Sequence, residues 1–338
     1  MEEKMNDKVL LAHGSGGRLS HNLIEKYLLP YLGNPMLNKL DDCAVIELNG
    51  RIAFTTDSYV INPVFFPGGD IGRLAVCGTI NDLAAGGAEA KYLSLALIIE
   101  EGFPIADLER IIASVSSTAK EAGVLVITGD TKVVDHGSAD GIFINTSGVG
   151  VIPEGVDISG SRAKEGDKVI ITGTIGDHGI AVMSQREGIK FSVPVVSDCA
   201  PLNGLVSDIL KVSTAIHCLR DPTRGGLATT LNELAVQSDA GILIEEDKIP
   251  VKDAVRGMCE ILGLDPMYVA NEGKLVVIAP PEDADRVVEA LRGNKYGKDA
   301  VVIGEITSGH KGRVALKTRL GASRIVDMLT GDLLPRIC

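Results

Sequence analysis

The 338-residue sequence has no tryptophan, and aromatic residues make up only 4% of it. The net charge is −12 and no basic patch interleaves with the few aromatics, so the stacking platform and positive field that single-stranded nucleic acid needs are both missing. Nucleic acid is excluded as a partner class. A carboxylate surplus suits metal-held phosphates or basic partner surfaces instead. No apolar run approaches the ~18 residues of a membrane span. The charged start, Met1-Glu2-Glu3-Lys4-Met5-Asn6-Asp7-Lys8, does not read as a secretion signal, so the expected location is the cytoplasm, with no membrane partner. Cys43, Cys77, Cys199, Cys218, Cys259 and Cys338 are scattered, with no C-x-x-C and no histidine at zinc-ligand spacing. That excludes a zinc finger or cluster site, and a disulfide framework is out of place in a chain this long without a secretion signal.

What is present is a chain long enough for two cores, 45% apolar. A polar stretch from Pro153-Glu154-Gly155 to Asp167 marks the expected boundary. The predicted units are 1–153, 154–328 and a mobile tail, 329–338. Leu19, Leu23, Ile24 and Tyr27 recur at helical spacing and predict a helix over 18–29. Cys43 to Leu48 and Arg51 to Thr56 flank Asn49-Gly50, which predicts a β-hairpin bringing Asp41 and Asp42 beside Asp57. Helices follow at 71–85 and 105–122, with strands at 92–99 and 124–128, and 141–151 closes the first half. Gly129-Asp130-Thr131-Lys132 is expected just past the 124–128 strand.

In the second half, strands are expected at 168–172, 241–245, 274–279, 299–306 and 313–317. Helices are expected at 178–186, 204–214, 227–238, 251–262 and 282–292, with 187–203 as loop. Alternating elements with hairpins among them predict an α+β (mixed α/β) class, not a doubly wound parallel sheet.

Three features carry chemistry. His13-Gly14-Ser15-Gly16-Gly17 is a loop with little side-chain bulk whose backbone N–H groups can cover phosphates, although it lacks the Gly-Lys-Ser/Thr of a P-loop. Asp42, Asp57, Asp82 and Asp130 stand at the ends of apolar elements. Each has an ordinary reading as a cap or turn residue, but together, with Lys132 for phosphate charge, they fit the oxygen-rich recipe of Mg²⁺. Finally, the chain stops at Pro335-Arg336-Ile337-Cys338, placing a thiol beside a free carboxylate. At about 3.3 Å per residue, the stretch from Gly331 to Cys338 could sweep that thiol through roughly 25 Å. Arg336 is expected to offset the terminal carboxylate, which otherwise raises the thiol pKa.

Asp41-Asp42-Cys43-Ala44, Thr55-Thr56-Asp57-Ser58, Asn81-Asp82-Leu83-Ala84-Ala85-Gly86-Gly87-Ala88, Thr128-Gly129-Asp130-Thr131 and Asp221-Pro222-Thr223-Arg224-Gly225-Gly226-Leu227 occur in one order. In that order they resemble the ATP-using superfamily of aminoimidazole ribonucleotide synthetase, selenophosphate synthetase and thiamine-monophosphate kinase. Asn271-Glu272-Gly273-Lys274-Leu275 and the terminal Pro335-Arg336-Ile337-Cys338 resemble, within it, the hydrogenase-maturation HypE family, along essentially the whole chain. Leu40 departs from the glycine that kinase-like relatives have before the Asp pair. The His13–Gly17 loop also lacks the cysteine or lysine of selenophosphate synthetases.

The resemblance implies a two-domain fold whose N-terminal domain makes a homodimer by joining sheets into a barrel. ATP and Mg²⁺ would lie near that interface, held by Gly14, Gly16, Gly17, Asp41, Asp57, Asn81, Asp82, Asp130 and Lys132, with Asp42, Asp57, Asp82 and Asp130 toward the metal. It implies that Cys338 takes a carbamoyl group from HypF, and that ATP-driven dehydration makes a thiocyanate. The cyanide would then pass to iron on HypC–HypD. Glu272, otherwise an ordinary turn glutamate, becomes the expected base, with Asn271 orienting the amide and Pro335, Arg336 and Ile337 forming the arm. The alternatives are a selenophosphate synthetase or small-molecule kinase, and an ATP-gated scaffold.

Overall fold

In the first half of the chain a helix with almost no wet side sits between a sheet and further helices. All residues of α3 (Ile71–Ala85) are buried except Arg73 and Asp82. A helix apolar all round must be covered all round, and the one carboxylate it carries is thereby aimed at whatever opening remains. Its start is set by Asp70, whose side chain accepts from the Gly72 and Arg73 N–H groups at 2.8 and 3.0 Å, satisfying two orphan donors.

The computed structural model describes residues 7–15, 17–189, 194–329, 331 and 336–338. Short helices α1 (Arg18–Leu23) and α2 (Leu29–Leu32), joined by a π turn at Ile24–Leu28, lie ahead of β1 (Arg51–Tyr59). After β2 (Phe65–Phe66) and β3 (Gly69–Asp70), α3 leads to β4 (Glu89–Glu100), α4 (Ile105–Ala122), β5 (Leu125–Val134) and β6 (Ile142–Ile152). The sheet order is β1-β6-β4-β5. Only β4 and β5 are parallel, as the α4 crossover between them requires. Alternate residues of β1 separate the faces: Tyr59 is buried toward the helices, whereas Phe54 is 69% exposed on the other side. Ile52, Ile98 and Leu125 are also exposed.

The expected hairpin does not form. Gly50 takes the left-handed φ of 99° that the turn needs, but β1 spends its ladder on β6, and 43–48 carries no strand pairing. Asp41 and Asp42 are accordingly exposed and are not drawn to Asp57. Gly129 to Lys132 also differ from expectation. They lie inside β5, because β4 runs long enough to keep pairing as far as Val134.

The second half contains β7 (Lys168–Ile171), α5 (Asp177–Arg186), α6 (Asn203–Val212), β8 (Cys218–Arg220), α7 (Gly226–Gln237), β9 (Gly241–Glu245) and α8 (Asp253–Leu262). It closes with β10 (Val276–Ala279), α9 (Pro281–Gly293), β11 (Val301–Thr307), β12 (Val314–Lys317) and β13 (Ser323–Val326). The sheet order β13-β12-β9-β11-β7-β10-β8 is antiparallel except for β9 and β12, as an α+β class requires. The reading above omitted β8 and β13, each too short to show a period. Irregular residues 194–202 return to α3, where Arg73 Nε donates to the Cys199 carbonyl at 2.9 Å and Asn81 Nδ2 to the Ala200 carbonyl at 3.0 Å. This helix therefore belongs to both halves.

At Gly72 an added Cβ would lie 2.5 Å from the Ile111 carbonyl oxygen of α4. Gly72→Ala is expected to destabilise the protein by about 1–3 kcal/mol through this overpacking. Urea denaturation reads it, and an unchanged midpoint would contradict the close approach.

Candidate active site

A cleft of about 580 Å³ opens between the halves, lined by Asp57, Tyr59, Asp82, Asp221, Arg224, Glu272 and Cys338 among others. β1 delivers Asp57 and Tyr59 on one face, two residues apart as the strand period demands. The Tyr59 hydroxyl donates to Asp57 Oδ2 at 3.2 Å. Glycine at 78 gives that ring its room, since a Cβ there would come within 2.3 Å of the Tyr59 hydroxyl oxygen. Thr55, also on β1, donates to Asp82 Oδ2 at 2.8 Å, joining strand to helix at the cleft floor.

The final residues enter this cleft. Val60 N–H donates to the Cys338 main-chain oxygen at 3.3 Å and Asn62 N–H to the Arg336 carbonyl at 3.2 Å, an antiparallel pairing. His178 Nε2 lies 2.8 Å from the Ile337 carbonyl oxygen. Ile337 is buried. Arg336 does not offset the terminal carboxylate as expected: its Nε donates to the Val60 carbonyl at 2.9 Å, and its guanidinium pairs with Asp140. Arg224 instead is the cation that pulls on the Cys338 thiol. Residues 332–335, Pro335 included, lie outside the described residues, as does Gly16.

Carboxyls crowd here and each raises its neighbours. Burial first, then Asp221 and Asp57, push Asp82 up to about 7. Burial also pushes Asp221 up, and it pushes Glu272 well above the usual carboxylate range, with Cys199, Asp221, Asp198 and Asp57 adding to it. The Cys338 thiol is pushed up to about 12 by burial and then by Glu272, against the pull of Arg224. Glu272 is buried and its Oε1 has no hydrogen-bond partner among the described residues. Such a site favours protons, or a cation that would replace them.

Residues 40–152 match the N-terminal domain model of AIR synthase related proteins, and residues 164–317 the C-terminal domain model. Carbamoyl dehydratase HypE of Azotobacter vinelandii is 52% identical over 334 residues, covering 98% of each chain. A crystal structure of hydrogenase maturation protein HypE in complex with ATP superposes with a TM-score of 0.95 at 49% identity, covering 97% of this chain and 99% of that one. A HypE–HypF complex matches with a TM-score of 0.81 at 50% identity, covering 91% and 99%. The chain belongs to the HypE family.

Of the residues expected to serve a HypE-type reaction, Asp57, Asp82, Glu272 and Cys338 share the cleft. Asp130, Lys132 and Gly14 do not. They line a separate pocket of about 210 Å³ with His13 and Leu40, where Lys132 Nζ donates to Asp130 Oδ1 at 2.8 Å. Sheet register gives the reason: Asp57 pairs with Thr146, Thr146 with Leu95, and Leu95 with Gly129. Three strand spacings are roughly 14 Å, and Asp130, one residue on, points to the opposite face. A single chain thus cannot gather Asp42, Asp57, Asp82 and Asp130 around one ion. Among the described residues no three His, Cys, Asp or Glu side chains are grouped to hold a metal by themselves.

Gly14 serves a close approach, since a Cβ would lie 2.3 Å from the Val133 backbone nitrogen of β5. Gly17 is the N-cap of α1. Both asparagines are already engaged. Asn81 bonds Ala200, Leu202 and the Glu272 carbonyl. Asn271 accepts from Gly176 N–H and donates to the Pro222 and Val269 carbonyls. They hold the Glu272 turn in place and leave no amide free for a ligand. Tyr59 was missed although its spacing from Asp57 placed it on the same face; His178 and Asp198 carry no sequence signal at all.

Because the folded protein holds the Asp82 proton more tightly than the unfolded chain, ligand-free stability is expected to fall as pH rises from 3.8 through about 7, then to level off. Asp82→Asn makes that decline shallower. Urea midpoints on either side of this window check it, and an undiminished slope would contradict the crowding.

Proposed function

We propose that this chain dehydrates an S-carbamoyl group on its own Cys338 to S-cyanocysteine at the expense of ATP, supplying the cyanide ligand for the iron of [NiFe]-hydrogenase. The observation that carries the reading is that the terminal thiol lies in one cleft with Asp57, Asp82 and Glu272. A relative's structure holds ATP, and another relative is assembled with HypF. HypF is accordingly the proposed carbamoyl donor and a HypC–HypD complex the cyanide acceptor, in the cytoplasm.

ATP supplies a phosphoryl group that turns the carbamoyl oxygen, a poor leaving group, into phosphate. The crowded pair Asp57 and Asp82 suits Mg²⁺, which takes one or two carboxylates together with phosphate oxygens and water. Asp57 and Asp82 would hold that ion, and its charge would relieve their repulsion. With the carbonyl oxygen phosphorylated, two protons leave the amide nitrogen and the C–O bond breaks as C≡N forms. Glu272, buried with one oxygen unengaged among the described residues, is the group to accept a proton, because its environment raises its basicity once ionised. The backbone ladder at 60–62 converts an encounter with the thiol into a fixed geometry.

The exposed apolar face of the first sheet, with Phe54 and Ile52, suits a homodimer formed by joining two sheets. In that arrangement the Asp130–Lys132 edge and Asp41 of one protomer are free to serve ATP beside the second.

Intact-protein mass measurement tests the reaction. After incubation with the carbamoyl donor system, the wild-type chain is expected to gain a carbamoyl group and to lose one water only when ATP is added. Cys338→Ala abolishes the adduct, and product formed equally well without that sulfur would defeat the reading. Glu272→Gln is expected to carry the carbamoyl group but to dehydrate it about 10²–10⁴-fold more slowly. Dehydration at the parent rate would remove Glu272 from the role of base.

A further inference from the structure

His178 sits at the start of α5, fully buried, with both ring nitrogens engaged. Nε2 is 2.8 Å from the Ile337 carbonyl oxygen and Nδ1 is 2.8 Å from Ser197 Oγ. A carbonyl can only accept, so Nε2 carries the hydrogen. Burial keeps the ring below its ordinary pKa and therefore neutral, which leaves Nδ1 as the acceptor of the Ser197 hydroxyl proton. Ser197 Oγ in turn accepts the Cys199 N–H at 3.1 Å. Every donor and acceptor in this chain has one direction.

The next residue faces the other way, toward the base. Asp198 Oδ1 accepts the Glu272 N–H at 3.1 Å, and its Oδ2 lies 3.1 Å from Lys274 Nζ. Burial, the largest influence on Asp198, pushes it up, yet Lys274 and the Glu272 N–H bring it below its ordinary value. There is no slack between the two segments. A Cβ at Gly273 would lie 1.7 Å from the Asp198 carbonyl oxygen. Ser197-Asp198-Cys199 is thus a rigid link, with the residue before the reactive thiol at one end and the Glu272 turn at the other.

We propose that His178 is a positioning residue that seats the Ile337 carbonyl and, through Ser197 and Asp198, registers the docked tail against the Glu272 turn. The proposal rests on the dehydration reading above for its consequence in turnover, but the seat itself is measurable without turnover. In a docked tail, Cys338 is shielded. When the His178 contact is lost, the tail opens more often and the Glu272 turn loses its reference.

The test uses full-length protein in a Cys43→Ser background, which removes the cysteine exposed on the surface. N-ethylmaleimide labelling of Cys338 is followed by peptide mass, alongside dehydration of carbamoylated protein. His178→Ala is expected to label Cys338 about tenfold faster, the scale of one lost buried hydrogen bond, and to lower kcat with the KM for ATP unchanged. His178→Gln, which keeps one donor and one acceptor, is expected to restore slow labelling and most of kcat. Ser197→Ala, a smaller change for the fold, is expected to shift both readouts in the same direction.

Unchanged labelling in folded His178→Ala and Ser197→Ala overturns the proposal. A fall in kcat that His178→Gln does not recover, with labelling still slow, overturns it as well by reducing His178 to a packing role. Faster labelling in protein whose parent makes no thiocyanate supports the seat and defeats the functional reading alone.

Discussion

The short antiparallel pairing of 336–338 with 60–62 is the constraint on which the cleft depends. Two backbone hydrogen bonds, the Arg336 side chain on the Val60 carbonyl and the His178 contact at Ile337 fix the tail up to the Cys338 backbone. Loss of any one weakens the hold on the segment that carries the thiol into the cleft. The partner segment 60–62 directly follows β1, the strand that presents Asp57 and Tyr59. The seat of the thiol and the Asp57 carboxylate therefore form one continuous body.

That body is assembled against electrostatic cost. Asp82, Asp221 and Glu272 are all pushed up, and the thiol beside them with them. A fold selected for stability alone would not gather these carboxyls and a thiol in one partly dry cleft. The surroundings hold them there by close packing: glycine at 78 admits the Tyr59 ring, glycine at 273 admits the Asp198 backbone, and two buried asparagines tie the Glu272 turn to both halves. Stability is spent around the site so that charge entering it meets a prearranged set of groups.

The legible part of this molecule was its periodic part. Helix 71–85 and helix 105–122 fall where the apolar spacing put them, and the strands of the second sheet were found apart from β8 and β13, which have too few residues to repeat. Asp57, Asp82, Glu272 and Cys338 were legible as residues of interest and are found together. Position across a sheet was not legible. The Asn49-Gly50 turn signal is local and Gly50 obeys it, but whether the two flanking runs pair is decided by β6, nearly a hundred residues away. The same holds for Asp130, whose separation from Asp57 follows from register. His178 and Asp198 were illegible for a related reason, since a lone buried histidine and an aspartate in an aperiodic segment acquire meaning only through the tail and the turn they touch.

Asn81 and Asn271 make the sharpest case against reading polar residues near a reaction as its participants. Each lies beside catalytic-looking neighbours, in Asn81-Asp82 and in Asn271-Glu272. Each amide is spent on irregular backbone groups, Asn81 across the two halves and Asn271 within the second. A buried irregular backbone must find such partners. An asparagine, with donor and acceptor on one short side chain, supplies both in one place. At Glu272 the Oε1 can then stay without a partner among the described residues, because the orientation of the turn no longer depends on what that carboxylate bonds. Positioning by the amide is what leaves that oxygen of Glu272 uncommitted.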